Sequence, residues 1–130
     1  MQGWAFRAGA IYPFQRPYRL LKADEFSSVF SFRRSFIGEF FQVQVRPNGR
    51  AHPRLGLVVS RKMEKRAVYR NLAKRIVREY FRMHLNEFGG LDVVVRLRKP
   101  FRRDGLAEAR LDLQKLAVRV AHGAALDRTD

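Results

Sequence analysis

Phe41, Val43 and Val45 alternate with Gln42, Gln44 and Arg46, the period of a strand with one wet face, and predict a strand over residues 40–46. Upstream, Phe26, Val29 and Phe30 stand at i, i+3 and i+4 behind the acids Asp24 and Glu25, which predicts a short amphipathic helix over 23–31. Gly38 sets off a further strand at 33–37. The turn formers of 47–53 (P-N-G-R-A-H-P) predict a loop, and L-G-L-V-V-S at 55–60 a buried strand. A long helix is expected from 67 to 87, stopping at Gly89-Gly90. Residues 92–98 (D-V-V-V-R-L-R) form another strand, ended by Pro100. Leu106, Ala109, Leu113, Leu116 and Val120 then recur at helical spacing and predict a helix over 105–121. The aperiodic stretch 1–17 is expected to be a flexible arm and 122–130 a frayed tail. The order α-β-β-β-α-β-α predicts a single α+β domain over 18–121, a two-layer sandwich with helices laid on a sheet.

Charge changes the picture most between Arg61 and Arg82. Nine residues there are basic (Arg61, Lys62, Lys65, Arg66, Arg70, Lys74, Arg75, Arg78 and Arg82), against the acids Glu64 and Glu79. On a helical wheel Arg66, Arg70, Lys74, Arg75, Arg78 and Arg82 take one half, and Val68, Leu72, Ala73, Ile76, Tyr80 and Met83 the other. One side is therefore expected to dock on a core while the other carries a column of cations. A solvated helix face is the ordinary meaning of a charged run. Here the chain as a whole carries +15 and has a pI near 11.4, and such an excess bears on partners rather than on fold. Nucleic acid is the leading partner class and an anionic membrane surface the second. The apolar side of the helix has strands to pack against, which disfavours a membrane-surface helix. No helix-turn-helix pair precedes it, which disfavours a DNA reader.

Side-chain chemistry is sparse. The chain has no cysteine, hence no disulfide or thiolate metal site, which fits a reducing cytosol. His52, His84 and His122 are isolated, without metal-ligand spacing. The serines form no G-x-S-x-G elbow, and the glycines no phosphate-binding loop. Glu79 and Glu87 read as ion-pair partners of neighbouring bases rather than as a catalytic couple. No catalytic residue and no protein metal site are expected. Phe26 and Phe30 have two readings: core residues of an amphipathic helix, or stacking platforms for unpaired bases beside a cationic sheet face. No apolar run reaches the roughly 18 residues of a membrane span, and Arg7 and Pro13 interrupt the N-terminal stretch, so neither a span nor a signal peptide is expected.

The run from His52 to Arg82, HPRLGLVVSRKMEKRAVYRNLAKRIVREYFR, resembles the signature of the protein subunit of bacterial ribonuclease P. Tyr18–Phe30 resembles that family's first helix and Asp92–Arg96 its last strand, so the resemblance spans roughly 14–120. One position departs: the family usually has Arg-Asn-Arg where this chain has Arg70-Asn71-Leu72, so an RNA contact is either absent or supplied by Arg75 or Arg66. The resemblance implies the fold of domain 2 of ribosomal protein S5, with a left-handed β-α-β crossover. It also implies a cytoplasmic subunit that binds the catalytic RNA and the 5′ leader of precursor tRNA. The RNA carries out the hydrolysis with Mg²⁺, with no membrane or further protein partner. Two surfaces follow by position. The basic helix and its approach comprise Arg61, Lys62, Arg66, Arg70, Asn71, Lys74, Arg75 and Arg78. A leader cleft comprises Phe26, Phe30, Gln42, Gln44, Ser60 and Lys62, which weights Phe26 and Phe30 toward the leader. A general or ribosome-associated RNA-binding module is the alternative.

Overall fold

The computed structural model describes residues 18–129, with side chains through residue 123; the expected arm at 1–17 lies outside the described residues. The elements are α1 (Ala23–Phe32), β1 (Arg34–Ile37), β2 (Phe41–Pro47), β3 (Arg54–Val58), α2 (Ala67–Met83), α3 (Leu85–Phe88), β4 (Leu91–Leu97), a 3-10 turn (Arg103–Gly105) and α4 (Leu106–Thr129). One sheet runs β1-β2-β4-β3; only the β3–β4 pair is parallel, and the chain passes between them through α2 and α3.

The alternation in β2 sorts its side chains onto two faces, and the register carries that sorting across the sheet. Phe41, Val43, Val45, Leu55, Val93, Val95 and Leu97 point one way, into a core completed by α2, α3 and α4. Val94 points the other way, into a smaller cluster with Leu20 and Val29, flanked by Phe26, Phe30 and Val58. The main sandwich is thus sheet against α2 and α4, with α1 lying across the reverse face. That placement explains the uninterrupted Val93-Val94-Val95 run: β4 is covered on both sides. The β1–β2 connection is held from a distance, since the Asp112 carboxylate on α4 accepts the backbone N–H groups of Glu39, Phe40 and Phe41 at 2.9–3.0 Å.

Three expectations need correcting. The long helix does not run to 87. His84 Nδ1 donates to the Tyr80 carbonyl at 2.8 Å, taking the acceptor that the His84 amide would use in a continuing helix. That amide turns to Phe81 O instead, and the chain restarts as α3, which stacks Phe88 on Phe81 at 4.6 Å. Next, Val68 and Met83 are not on the core side; they are 58% and 70% exposed, and Val77 and Phe81 are buried in their stead. The row 66-70-74-78-82 explains the error. Its members drift by about 40° per step, so its two ends lie on different sides of the helix. Finally, helix α4 continues to Thr129 rather than ending at 121. Gly123 does not stop it, and the good helix formers Ala124, Ala125 and Leu126 follow.

Candidate nucleic-acid interface

On α2, the drift of that row decides what each cation does. Arg75, Arg78 and Asn71 are exposed, and Lys74 is half-buried. Arg66, at the N-cap position, and Arg61 and Lys62, in the preceding turn, are also exposed. Arg70 is half-buried and turned back on the chain, its Nη1 donating to the carbonyls of Glu64 at 2.9 Å and Lys65 at 2.8 Å. Leu72, the position that departs from the family signature, is in the core. A cation there would be buried, whereas Arg75, one turn on, faces outward.

Glu64 organises this end of the helix. It is 5% exposed, and its carboxylate accepts the Arg66 amide at 2.9 Å and Arg102 Nη1 at 2.5 Å. The Arg102 guanidinium in turn lies 3.9 Å over the Tyr69 ring. An acid here complements the helix dipole and anchors the approach to α2. The Arg66 N–H, and after it Arg102, hold the Glu64 carboxyl below the ordinary carboxylate value. A lowered carboxyl adds stability above its unfolded value of 4.5, and that stability is lost as pH falls through the lower folded value. In Glu64→Gln the advantage of the parent protein in thermal midpoint should therefore shrink as pH drops from 6 to 3. A gap that stays constant over this range would show that the charge contributes nothing. Arg102 is absent from the sequence-based site; the R-R pair at 102–103 was its only signal.

Across the sheet, α1 is fixed by a chain of ions. Glu25 Oε1 accepts the amides of Leu21 and Lys22 at 2.8 and 2.9 Å, and its Oε2 accepts Arg54 Nη1 at 2.9 Å. Arg54 then grips Asp92 with two bonds, Nε to Oδ1 at 2.9 Å and Nη2 to Oδ2 at 2.8 Å. Asn48 Nδ2 adds a third contact to Asp92 at 3.0 Å. The two amides and Arg54 hold the Glu25 carboxyl low, and Asp92 holds the Arg54 guanidinium high.

Beyond α1 lies a row of side chains in register across all four strands: Ile37, Gln42, Arg96 and Val58. Phe30 stands over it, with the Arg96 guanidinium 5.3 Å from its ring centre. Arg96 is a further residue that the sequence reading missed, although it has the parity of the wet face of β4. Gln42 donates to Ser35 Oγ at 2.8 Å, and Gln44 is half-buried one row further along. Phe26 is drawn inward: its ring occupies the space above Gly56, where any Cβ would collide with it. Ser60 and Lys62 are exposed in the turn after β3, and Ser60 Oγ accepts the Met63 amide at 3.1 Å.

The two surfaces meet at the edge of the sheet. Arg19 and Leu20 run beside β3, with the Leu20 amide on Leu55 O at 2.9 Å. A groove of about 180 Å³ there is lined by Arg19, Leu20, Phe26 and Leu57 together with Lys74 and Arg78 of α2. Among the described residues no group of three or more His, Asp or Glu is placed to hold a metal. The buried carboxylates are saturated by arginines and amides. The arrangement can therefore neutralise phosphates along α2 and offer flat and amide surfaces on the sheet, which is the chemistry of binding unpaired nucleic acid.

The ribonuclease P family model matches residues 14–121 of this chain. The ribonuclease P protein component of Chromobacterium violaceum is 53% identical over 110 residues, covering 85% of this chain and 91% of that one. That of an Azoarcus species is 45% identical over 113 residues, covering 87% and 94%. Among solved structures, the RNase P protein of Staphylococcus aureus superposes with a TM-score of 0.71 at 30% identity, over 80% of this chain and 94% of that one. The Thermotoga maritima RNase P protein gives 0.63 at 34% identity, over 78% and 96%. The alternative of an RNA-binding module with no catalytic partner is not favoured by these relationships. Sequence and fold together place the chain in the ribonuclease P protein family, as a protein component of that ribonucleoprotein endonuclease.

Proposed function

We propose that, as the protein component of ribonuclease P, this chain binds the catalytic RNA through α2 and its approach, and steers the 5′ leader of precursor tRNA over the opposite sheet face. Arg61, Lys62, Arg66, Asn71, Lys74, Arg75 and Arg78 meet phosphates, with Arg102 added to them. Arg70 serves mainly as a brace for the 64–66 backbone, since its donors already hold two carbonyls. Phe30, Gln42, Gln44 and Arg96 line the leader track, continued by Ser60 and Lys62. Phe26 supports the track from beneath and faces the edge groove.

The observation that carries this reading is the groove at the β3 edge, where Phe26 of the leader side and Lys74 and Arg78 of the helix line one depression. A strand leaving the catalytic RNA can pass from one surface to the other along this groove, with Arg19, Lys74 and Arg78 beside its phosphates and Phe26 and the leucines beneath its bases. Stacking and phosphate contact tolerate any base, which suits a leader of variable sequence. Mg²⁺ belongs to the RNA, where it serves the hydrolysis; the protein's residues bind and orient. The work is done in the cytoplasm, and no helix among the described residues is long and apolar enough to cross a membrane.

The test is reconstitution. Purified protein added to a bacterial ribonuclease P RNA at low Mg²⁺ should restore leader cleavage; no stimulation would refute the role. In the same assay Phe30→Ala should weaken binding of precursor tRNA by about five- to tenfold, the loss of one stacking contact, with mature tRNA unchanged. Equal losses for both substrates would make Phe30 a packing residue only.

A further inference from the structure

Beyond Arg78, at the C-terminal end of α2, lies a depression of about 500 Å³ that neither surface uses. It opens between the β2–β3 loop, with Ala51, His52 and Pro53, and the α2–α3 break, from Arg82 to Glu87. That size falls in the usual range of small-ligand sites, roughly 300–1,000 Å³. Its walls are of two kinds. The Tyr18 and His52 rings meet edge to face at 4.9 Å, and Met83 leaves 70% of its surface to solvent at the rim. Between these flat, soft surfaces stand Arg82, His84 and Asn86.

The polar groups have distinct states. His52 Nδ1 lies 3.1 Å from the Pro53 carbonyl, which accepts its N–H, and Nε2 has no part in that contact. His84 Nδ1 is spent on Tyr80 O, and its ring stacks on Tyr80 at 4.0 Å. The Glu87 carboxylate lies 3.9 Å from His84 Nε2. The Tyr80 hydroxyl is pushed up to about 12, first by burial and then by Glu87, and stays a neutral donor to that carboxylate. A bare anion would meet Glu87 and leave the apolar walls unused. Among the described residues no three His, Asp or Glu side chains are grouped so that they could hold a metal ion. A heterocycle with one phosphate uses both kinds of wall: ring faces against Tyr18, His52 and Met83, its edge on Asn86, its phosphate toward Arg82.

We propose that this depression holds one unpaired nucleotide of an RNA strand bound along α2, and so extends the interface beyond Arg78 to the α2–α3 break. The proposal rests on the reading that α2 faces RNA, and its test separates the two. The chain has no cysteine, so Met83→Cys provides a unique attachment point for an aryl-azide cross-linker. Val68→Cys, 58% exposed beside the cation face, provides the control. Each labelled protein is assembled with ribonuclease P RNA alone, then with mature tRNA, then with precursor tRNA, and irradiated. The expected result is a focal cross-link of one or two nucleotides from position 83, and the arm in which it arises identifies the source strand. In parallel, His52→Ala/Asn86→Ala should keep the thermal midpoint and lower affinity for that strand by about tenfold, the loss of one stacked base. Cross-linking from position 68 but not 83, or affinity within twofold in the double variant, overturns the pocket and leaves the α2 reading standing. Cross-linking from neither position overturns both.

Discussion

Replacing Arg75 and Arg78 together by glutamate should weaken binding to ribonuclease P RNA by at least 25- to 60-fold near 0.1 M salt. Each phosphate neutralised by a side chain contributes about 0.7–0.9 to the slope of log affinity against log salt. Two lost contacts therefore make the slope shallower by about 1.4–1.8, which at roughly 0.1 M is that loss from counterion release alone. Repulsion by the new carboxylates adds to it. Both side chains are exposed, so the variant should unfold within about 0.5 kcal/mol of the parent. Filter binding across a salt series, with a denaturation curve alongside, measures both quantities. An unchanged slope would remove these residues from the interface.

Asp92→Ala should cost about 3–5 kcal/mol of folding stability, the penalty for leaving a buried charge without its partner. Asp92 is 1% exposed, and the Arg54 side chain that it grips is 13% exposed. Without Asp92, Arg54 retains only Glu25, and Asn48 loses an acceptor. Against the 5–15 kcal/mol total of an ordinary domain this is a large fraction, so the urea midpoint should fall sharply. Function should fail in a particular way. The same ions tie the start of α1 to the sheet, so any surviving folded protein should lose preference for precursor over mature tRNA before it loses the catalytic RNA. A cost below about 1 kcal/mol would show that the clamp is not a source of stability.

Much of this was legible beforehand where a local period existed. Strand β2 announces itself through alternation, and Leu72, Ala73 and Ile76 of α2 and Leu113 and Leu116 of α4 mark their buried sides by spacing. Errors came where the period was followed beyond its reach. An i+4 row is a neighbourhood relation that drifts around the helix, so it could not tell that Arg70 turns inward while Arg75 faces out. The break at His84 was hidden because it depends on one imidazole competing with the backbone for Tyr80 O.

Arg96 and Arg102 escaped for a different reason. Their meaning comes from partners far along the chain: Phe30 for Arg96, and the α2 N-terminus for Arg102. By itself the sequence determined the excess of positive charge, the identity of the helices and strands, and which α2 positions could carry cations, because these follow from composition and short-range periodicity. Only the tertiary structure decided which face of the sheet α1 covers, which arginines are spent on carbonyls and carboxylates, and that Phe26 of α1 and Lys74 and Arg78 of α2 line one groove at the edge of β3. Apart from the short reach of Arg70 to the carbonyls of Glu64 and Lys65, those are contacts between residues tens of positions apart, fixed by packing and by the pairing of buried charge, and no periodicity encodes them.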